Sequence, residues 1–228
     1  MGETGAMTGL AWGILAVTAV LAVGDWVARA TENRRLEYVC KPATTIGLLA
    51  VALTLDPTDP TTRAWFVVAL VFSLAGDVFL MVGGDESPTS EVNEELWFTL
   101  GLGSFLVGHL AYIVGLVVSG IEGGALIVGV VVVLGAMVLV GRRIVTAVTS
   151  SDEPGLAVPV AAYMTVISTM VACAFGTASA LAIGGASLFY LSDALIGWNR
   201  FVKSYAWGPV AIMVTYHLAQ AGLVLSLT

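Results

Sequence analysis

GGALIVGVVVVLGAMVLVG, residues 123–141, runs for 19 residues without one ionisable side chain. The hydrocarbon core of a bilayer takes about 20 apolar residues of helix. A backbone in lipid must satisfy its own N–H and C=O groups, which a helix of that length does and a lone strand does not. The stretch is therefore predicted to cross a membrane, and it serves as a ruler for the rest of the chain. On that ruler four spans precede it, at roughly 10–28, 38–55, 64–82 and 98–118, and three follow, at 156–174, 178–198 and 205–227. The sixth and seventh are divided at Phe175-Gly176-Thr177, inside small and apolar sequence that is otherwise continuous from Cys173 to Ala186. The expected fold is all-α: one polytopic transmembrane domain over residues 1–228 with eight transmembrane helices.

Composition agrees. Of 228 residues 58% are hydrophobic and 11% charged, against about a quarter charged in soluble domains. Nine Lys and Arg residues and a net charge of −7, with no basic block, exclude nucleic acid as a partner. Asp85, Glu86, Glu91, Glu94 and Glu95 read as one solvated acidic loop. Cys40 and Cys173 fall at opposite membrane faces, too far apart for a disulfide, and no CxxC or Cys/His metal spacing occurs. No Lys or Arg precedes Arg29, so the first run lacks the basic flank of a signal peptide and is expected to remain as a span.

Orientation follows from the basic residues. Arg29, Arg34, Arg35 and Lys41 lie between or at the edges of spans 1 and 2, Arg142 and Arg143 between spans 5 and 6, and Arg200 and Lys203 between spans 7 and 8. These loops share one face, with Arg63 left for the other. The positive-inside rule makes that face cytoplasmic and puts both termini outside. Trp12, Trp26, Trp65, Trp97, Trp198 and Trp207 all fall near span ends, where indoles favour the headgroup level. Few Lys and abundant Ala, Val and Gly suggest a bacterial inner membrane.

An internal repeat is also legible. Span 4 carries His109-Leu-Ala-Tyr-Ile-Val-Gly-Leu-Val-Val-Ser119, and span 8 carries His217-Leu-Ala-Gln-Ala-Gly-Leu-Val-Leu-Ser226. Ser73-Leu-Ala-Gly-Asp77-Val-Phe-Leu in span 3 likewise aligns with Phe189-Tyr-Leu-Ser-Asp193-Ala-Leu-Ile in span 7. A four-span shift keeps orientation, so a parallel 4+4 duplication is expected, with repeats at 10–118 and 123–227.

Ionisable groups at membrane depth are expensive and usually face a polar interior. Asp77 and Asp193 sit at similar depth in spans 3 and 7, where a repeat axis would bring them together as an acid/base or nucleophile pair. The plain alternative is that each bonds a neighbouring helix. His109 and His217 lie deeper, as hydrogen-bonding cavity groups or packed histidines; a zinc site of two His and two Asp lacks the usual spacings. Lys41, ahead of Pro42, either holds a phosphate headgroup or snorkels to the interface. Asn199 and Arg200 pose the same choice, and Asp25 is expected to be solvated. Tyr112, Tyr190, Tyr216 and Gln220 are polar groups able to complete a cavity. No GxSxG, P-loop or HExxH is present. The Gly pairs 83–84, 123–124 and 184–185 are loop or small-residue packing elements, and Gly101, Gly103 and Gly108 are expected to let span 4 approach its neighbours.

Lys41-Pro42-Ala-Thr-Thr45, Ser73 to Leu80, Phe105-Leu-Val-Gly-His109-Leu-Ala-Tyr112, Phe189 to Ile196 and Thr215-Tyr-His-Leu-Ala-Gln220, in that order and spacing, resemble the YhhN-like lysoplasmalogenase family over about residues 38–226. The resemblance implies an eight-span hydrolase that cleaves the vinyl-ether bond of a lysoplasmalogen to a fatty aldehyde and glycerophosphoethanolamine or glycerophosphocholine. Asp77 and Asp193 would be catalytic, and Lys41, His109, Tyr112, Tyr190, Asn199, Tyr216, His217 and Gln220 would bind substrate. The expected partners are a lysophospholipid and membrane lipid, with no cofactor and no metal. A proton-coupled or small-solute transporter is the other reading, because buried carboxyls and parallel repeats suit both.

Overall fold

The computed structural model describes residues 5–83 and 91–228, and side chains from Glu95 onward in the second stretch; most of the acidic connection read above lies outside them. Among the described residues eight helices are long and apolar enough to cross a membrane. They are α1 (Gly9–Ala30), α2 (Arg34–Thr54), α3 (Pro60–Gly83), α4 (Glu91–Val118), α5 (Gly123–Thr149), α6 (Pro154–Gly176), α7 (Ala180–Val202) and α8 (Gly208–Leu225).

The helix ends are set by local chemistry. Thr8 caps α1 by accepting from the Ala11 N–H at 3.0 Å, and Asn33 caps α2 by accepting from the Leu36 N–H at 3.2 Å. The α6–α7 break falls where the Gly-containing sequence placed it. α6 ends at Gly176, Ala178 turns through φ 56°, and Ser179 caps α7. Several ends lie beyond the ruler: α3 starts at Pro60, α4 at Glu91, and α7 runs to Val202. α2 starts at Arg34 because Asn33 supplies the cap, so Arg34 and Arg35 are helical and Lys41 and Pro42 lie two turns inside. α5 continues past a π-turn at Met137–Gly141 as far as Thr149. Ile144 and Val148, fully buried, anchor that extension, so Arg142 and Arg143 belong to helix rather than loop.

At α3, Pro60 occupies the first helical position, where its missing N–H costs nothing. Asp59 accepts from the Thr62 N–H and hydroxyl, both at 2.7 Å. These bonds hold the Asp59 carboxyl below the ordinary carboxylate range, the Thr62 hydroxyl contributing most. A depressed folded value means the cap's stabilisation is present above the unfolded value and is lost as pH falls through the folded one. Asp59→Ala is expected to cost about 1 kcal/mol at neutral pH. The difference between variant and parent should begin to shrink below about pH 4 and disappear only once the pH has fallen below the depressed folded value. Thermal unfolding in detergent across that range checks this, and a constant difference would exclude a carboxylate cap.

The chain divides into two compact units, Met1–Tyr112 with Leu227–Thr228, and Ile113–Ser226. In the first, sequential helices pack α1 on α2 and α2 on α3. Gly24 and Gly47 permit the α1–α2 approach: a Cβ on Gly24 would sit 3.0 Å from Cys40 Sγ, and one on Gly47 would overlap Thr18. Gly101 meets Leu80 and Gly108 meets Ala69 across α3–α4, whereas Gly103 faces nothing within 4 Å, so two of the three α4 glycines make close approaches. The segment before α1 bridges Ala6 to Asp56, the Thr58 N–H donates to Leu227 O at 2.8 Å, and Gly5 lies against Thr228. The two chain ends thus meet beside the α2–α3 connection.

In the second unit α5 packs on α6, α6 on α7 and α7 on α8. Gly185 and Gly222 let the last pair touch backbone to backbone. Gly184 and Gly185 are therefore helical, and only the second is a packing contact. Ile127, Val131, Leu134, Val138 and Leu139 of α5 remain exposed, an apolar surface suited to lipid. Cys40 and Cys173 are both buried and unbridged.

Candidate active site

In the first unit the polar core is built on Asp77, 2% exposed in α3. The Thr45 hydroxyl on α2 donates to Asp77 Oδ2 at 2.8 Å, and Lys41 Nζ, one turn earlier, lies 3.6 Å from Oδ1. Positions four apart share a helix face, which is why the Lys41-Pro42-Ala-Thr-Thr45 string delivers both groups to one carboxylate. Lys41 is 5% exposed, so it does not snorkel.

Asp25 departs from its sequence reading. Expected to be solvated, it is 0% exposed. The close approach at Gly24 brings α1 against α2 there, and Lys41, Glu37, Asp77 and Arg29 all lie within electrostatic reach of it. Arg29 Nη1 in turn donates to both Glu37 oxygens at 2.9 Å. His109 and Tyr112 stand one turn apart on α4, at 1% and 0% exposure, and Tyr112 meets Phe66 edge to face at 4.9 Å.

The second unit is organised around Asp193. The Tyr163 hydroxyl on α6 donates to Asp193 Oδ2 at 2.6 Å. Gln220 Nε2 donates to the Tyr216 hydroxyl at 3.3 Å, and Tyr216 packs edge to face on Phe189 and tilted on His217, both at 5.4 Å. His217 and Gln220 are buried, while Tyr190, half-buried, lies beside Ser168. Asn199 stands apart from this group. It accepts from the Tyr205 N–H at 3.3 Å and packs on Gly208, shaping the α7–α8 connection. Arg200, its neighbour, is paired with Glu153 at 2.8 Å.

Both units thus place a hydroxyl from their second helix on a carboxyl of their third. Tyr163 carries no signal in the sequence because, unlike Tyr112, Tyr190 and Tyr216, it stands in none of the repeat or motif strings. The burial of Asp25 is not legible in the sequence, because position along one helix does not show what a neighbouring helix covers.

Residues 36–227 match the YhhN family. The chain belongs to the YhhN family. Among curated proteins similar to this YhhN chain, the human protein named lysoplasmalogenase TMEM86B is 30% identical over 130 residues, covering 57% of this chain and 53% of the human one. A Mycobacterium bovis protein named lysoplasmalogenase is 27% identical over 217 residues, covering 93% of this chain and 77% of its own. The chain spans about half the length of the mammalian relatives it matches. No solved structure matches it. Family membership and eight membrane-length apolar helices make this YhhN chain a multi-pass membrane protein. Asp77 and Asp193 fall inside the matched residues, whereas Asp25 and Arg29 precede them.

Proposed function

We propose that this YhhN protein is a membrane-embedded hydrolase that cleaves the vinyl-ether bond of lysoplasmalogen-type lysophospholipids. The names of its relatives point to that chemistry, and the observation that carries it in this chain is Asp77. A carboxyl 2% exposed within an apolar helix, contacted by Thr45 and Lys41, is a costly group of the kind membrane proteins keep for function. Asp77 and Asp193 are the carboxyls assigned to the reaction. His109 and Tyr112 in one unit, and Tyr216, His217 and Gln220 in the other, are assigned to substrate binding. The hydroxyl-to-carboxyl contact common to both units supports the 4+4 duplication as their origin.

A vinyl ether hydrolyses once a carboxylic acid transfers its proton to the carbon remote from oxygen. The oxocarbenium ion so formed is captured by water, which loses a proton to a carboxylate. The hemiacetal then collapses: its carbon–oxygen bond to glycerol breaks, the glycerol oxygen takes the hydroxyl proton, and the fatty aldehyde leaves. Acid donation and carboxylate assistance are the two roles that carboxyls play in glycoside hydrolysis, where the cation is similar.

The test is aldehyde release by purified protein from a vinyl-ether lysolipid and from its saturated-ether analogue. Aldehyde is expected from the first alone, matched mole for mole by the glycerophospho product. In D₂O it should carry one deuterium on the carbon beside the carbonyl. Folded protein that releases no aldehyde from either lipid would sink the proposal.

A further inference from the structure

A threonine inside an apolar helix has an acceptor close at hand in its own backbone. Thr18 on α1, and Thr44 and Thr54 on α2, each donate to the carbonyl four residues earlier at 2.8 Å. Thr45 does otherwise: its hydroxyl crosses to α3 and donates to Asp77 Oδ2 at 2.8 Å. One turn earlier on the same face of α2, Lys41 places Nζ 3.6 Å from Oδ1 of the same carboxyl. Both oxygens of Asp77 therefore meet a donor from α2, and one of the two donors is a cation. All three side chains are buried. An ammonium this close favours the charged form of a carboxyl, and so does a hydrogen bond donated to it. A neutral Asp77 would leave the buried ammonium without that counter-charge, which is costly. Other titratable groups face this pair. Asp25 on α1 lies within electrostatic reach, Glu37 on α2 is paired with Arg29 at 2.9 Å, and α4, packed on α3, carries His109 and Tyr112.

We propose that Lys41 is a positioning residue that holds Asp77 as a carboxylate, so that Asp77 takes the proton of the attacking water and a different group supplies the acid proton. As water adds, its oxygen bonds the oxocarbenium carbon and one of its protons passes to Asp77. Before the next turnover Asp77 releases that proton to solvent, which the neighbouring ammonium favours, and the acid that protonated the vinyl carbon takes one up. Lys41 thus acts through Asp77 and not by gripping the phosphate headgroup. The division of roles rests on the hydrolase reading above, whereas the charge state of Asp77 rests on its contacts with Lys41 and Thr45.

¹³C NMR of aspartate-labelled protein, with the Asp77 carboxyl assigned through its own backbone resonances, reads its protonation at neutral pH. Asp77 should lie in the carboxylate range in the parent and in Lys41→Arg, and move to the carboxylic-acid range in Lys41→Met. A protonated Asp77 in the parent, or an unmoved resonance in Lys41→Met, overturns the proposal. Should Lys41→Met fail to fold, Lys41→Gln removes the same charge with a polar side chain, and failure of both makes Lys41 a structural group and overturns its role. In the aldehyde assay Lys41→Met should lower kcat about 10²-fold with little change in KM, and Lys41→Arg should recover most of the loss. A raised KM with unchanged kcat would make Lys41 a headgroup ligand and overturn the proposal. If the spectra hold but the parent protein releases no aldehyde, the hydrolase reading fails and the charge state of Asp77 stands.

Discussion

Asp77→Asn is expected to lower kcat for aldehyde release about 10²–10⁴-fold, the range general acid–base catalysis supplies. Asparagine matches the side chain in size and still accepts the Thr45 hydroxyl, but it has neither an acidic proton nor a negative charge. The fold should survive, since Lys41 keeps Asp25 as a counter-charge. Asp193→Asn is expected to lose activity on the same scale, with the Tyr163 hydroxyl, now 2.6 Å from Asp193 Oδ2, turned to the amide oxygen. Steady-state kinetics and a thermal melt on each variant decide the matter. Near-normal turnover in both would make the two aspartates structural hydrogen-bond acceptors and remove the carboxylate mechanism.

The second large effect is on stability and separates two adjacent glycines. A Cβ on Gly185 would lie 2.8 Å from both Ala219 O and Leu223 N, backbone atoms of α8 that cannot yield unless the helix moves. Gly185→Leu should therefore force α7 and α8 apart and cost about 3 kcal/mol, the upper part of the overpacking range. Gly184 has nothing within 4 Å of the same position. Gly184→Ala should be neutral or stabilise by up to about 1 kcal/mol through helix propensity. Denaturation of both variants in mixed micelles measures the contrast, and similar stabilities would mean that α7 and α8 are not in backbone contact.

The span count, the helical class and the approximate limits of every span follow from the sequence alone, because lipid penalises unpaired backbone and charge wherever they occur. Nineteen uncharged residues at 123–141 admit one local solution, whatever surrounds them. The same rule made Asp77 and Asp193 conspicuous, since carboxyls in apolar runs stand out by composition. Cap positions were less legible: Asn33 starts α2 earlier and the Ile144 and Val148 contacts carry α5 further than apolar length implies.

Partnership belongs to the tertiary structure. Hydropathy along one helix gives depth but not facing, so it placed Lys41 and Asp25 at an interface when both are buried. It also offered no reason to join Thr45 to Asp77 or Tyr163 to Asp193 across neighbouring helices. Those pairings depend on which faces of adjacent helices meet. Gly24 and Gly47 set this for α1 and α2, and Gly185 and Gly222 for α7 and α8, where two backbones come within reach of each other. Sequence shows that a glycine is present, but only the neighbouring helix determines whether its missing side chain is occupied by another atom.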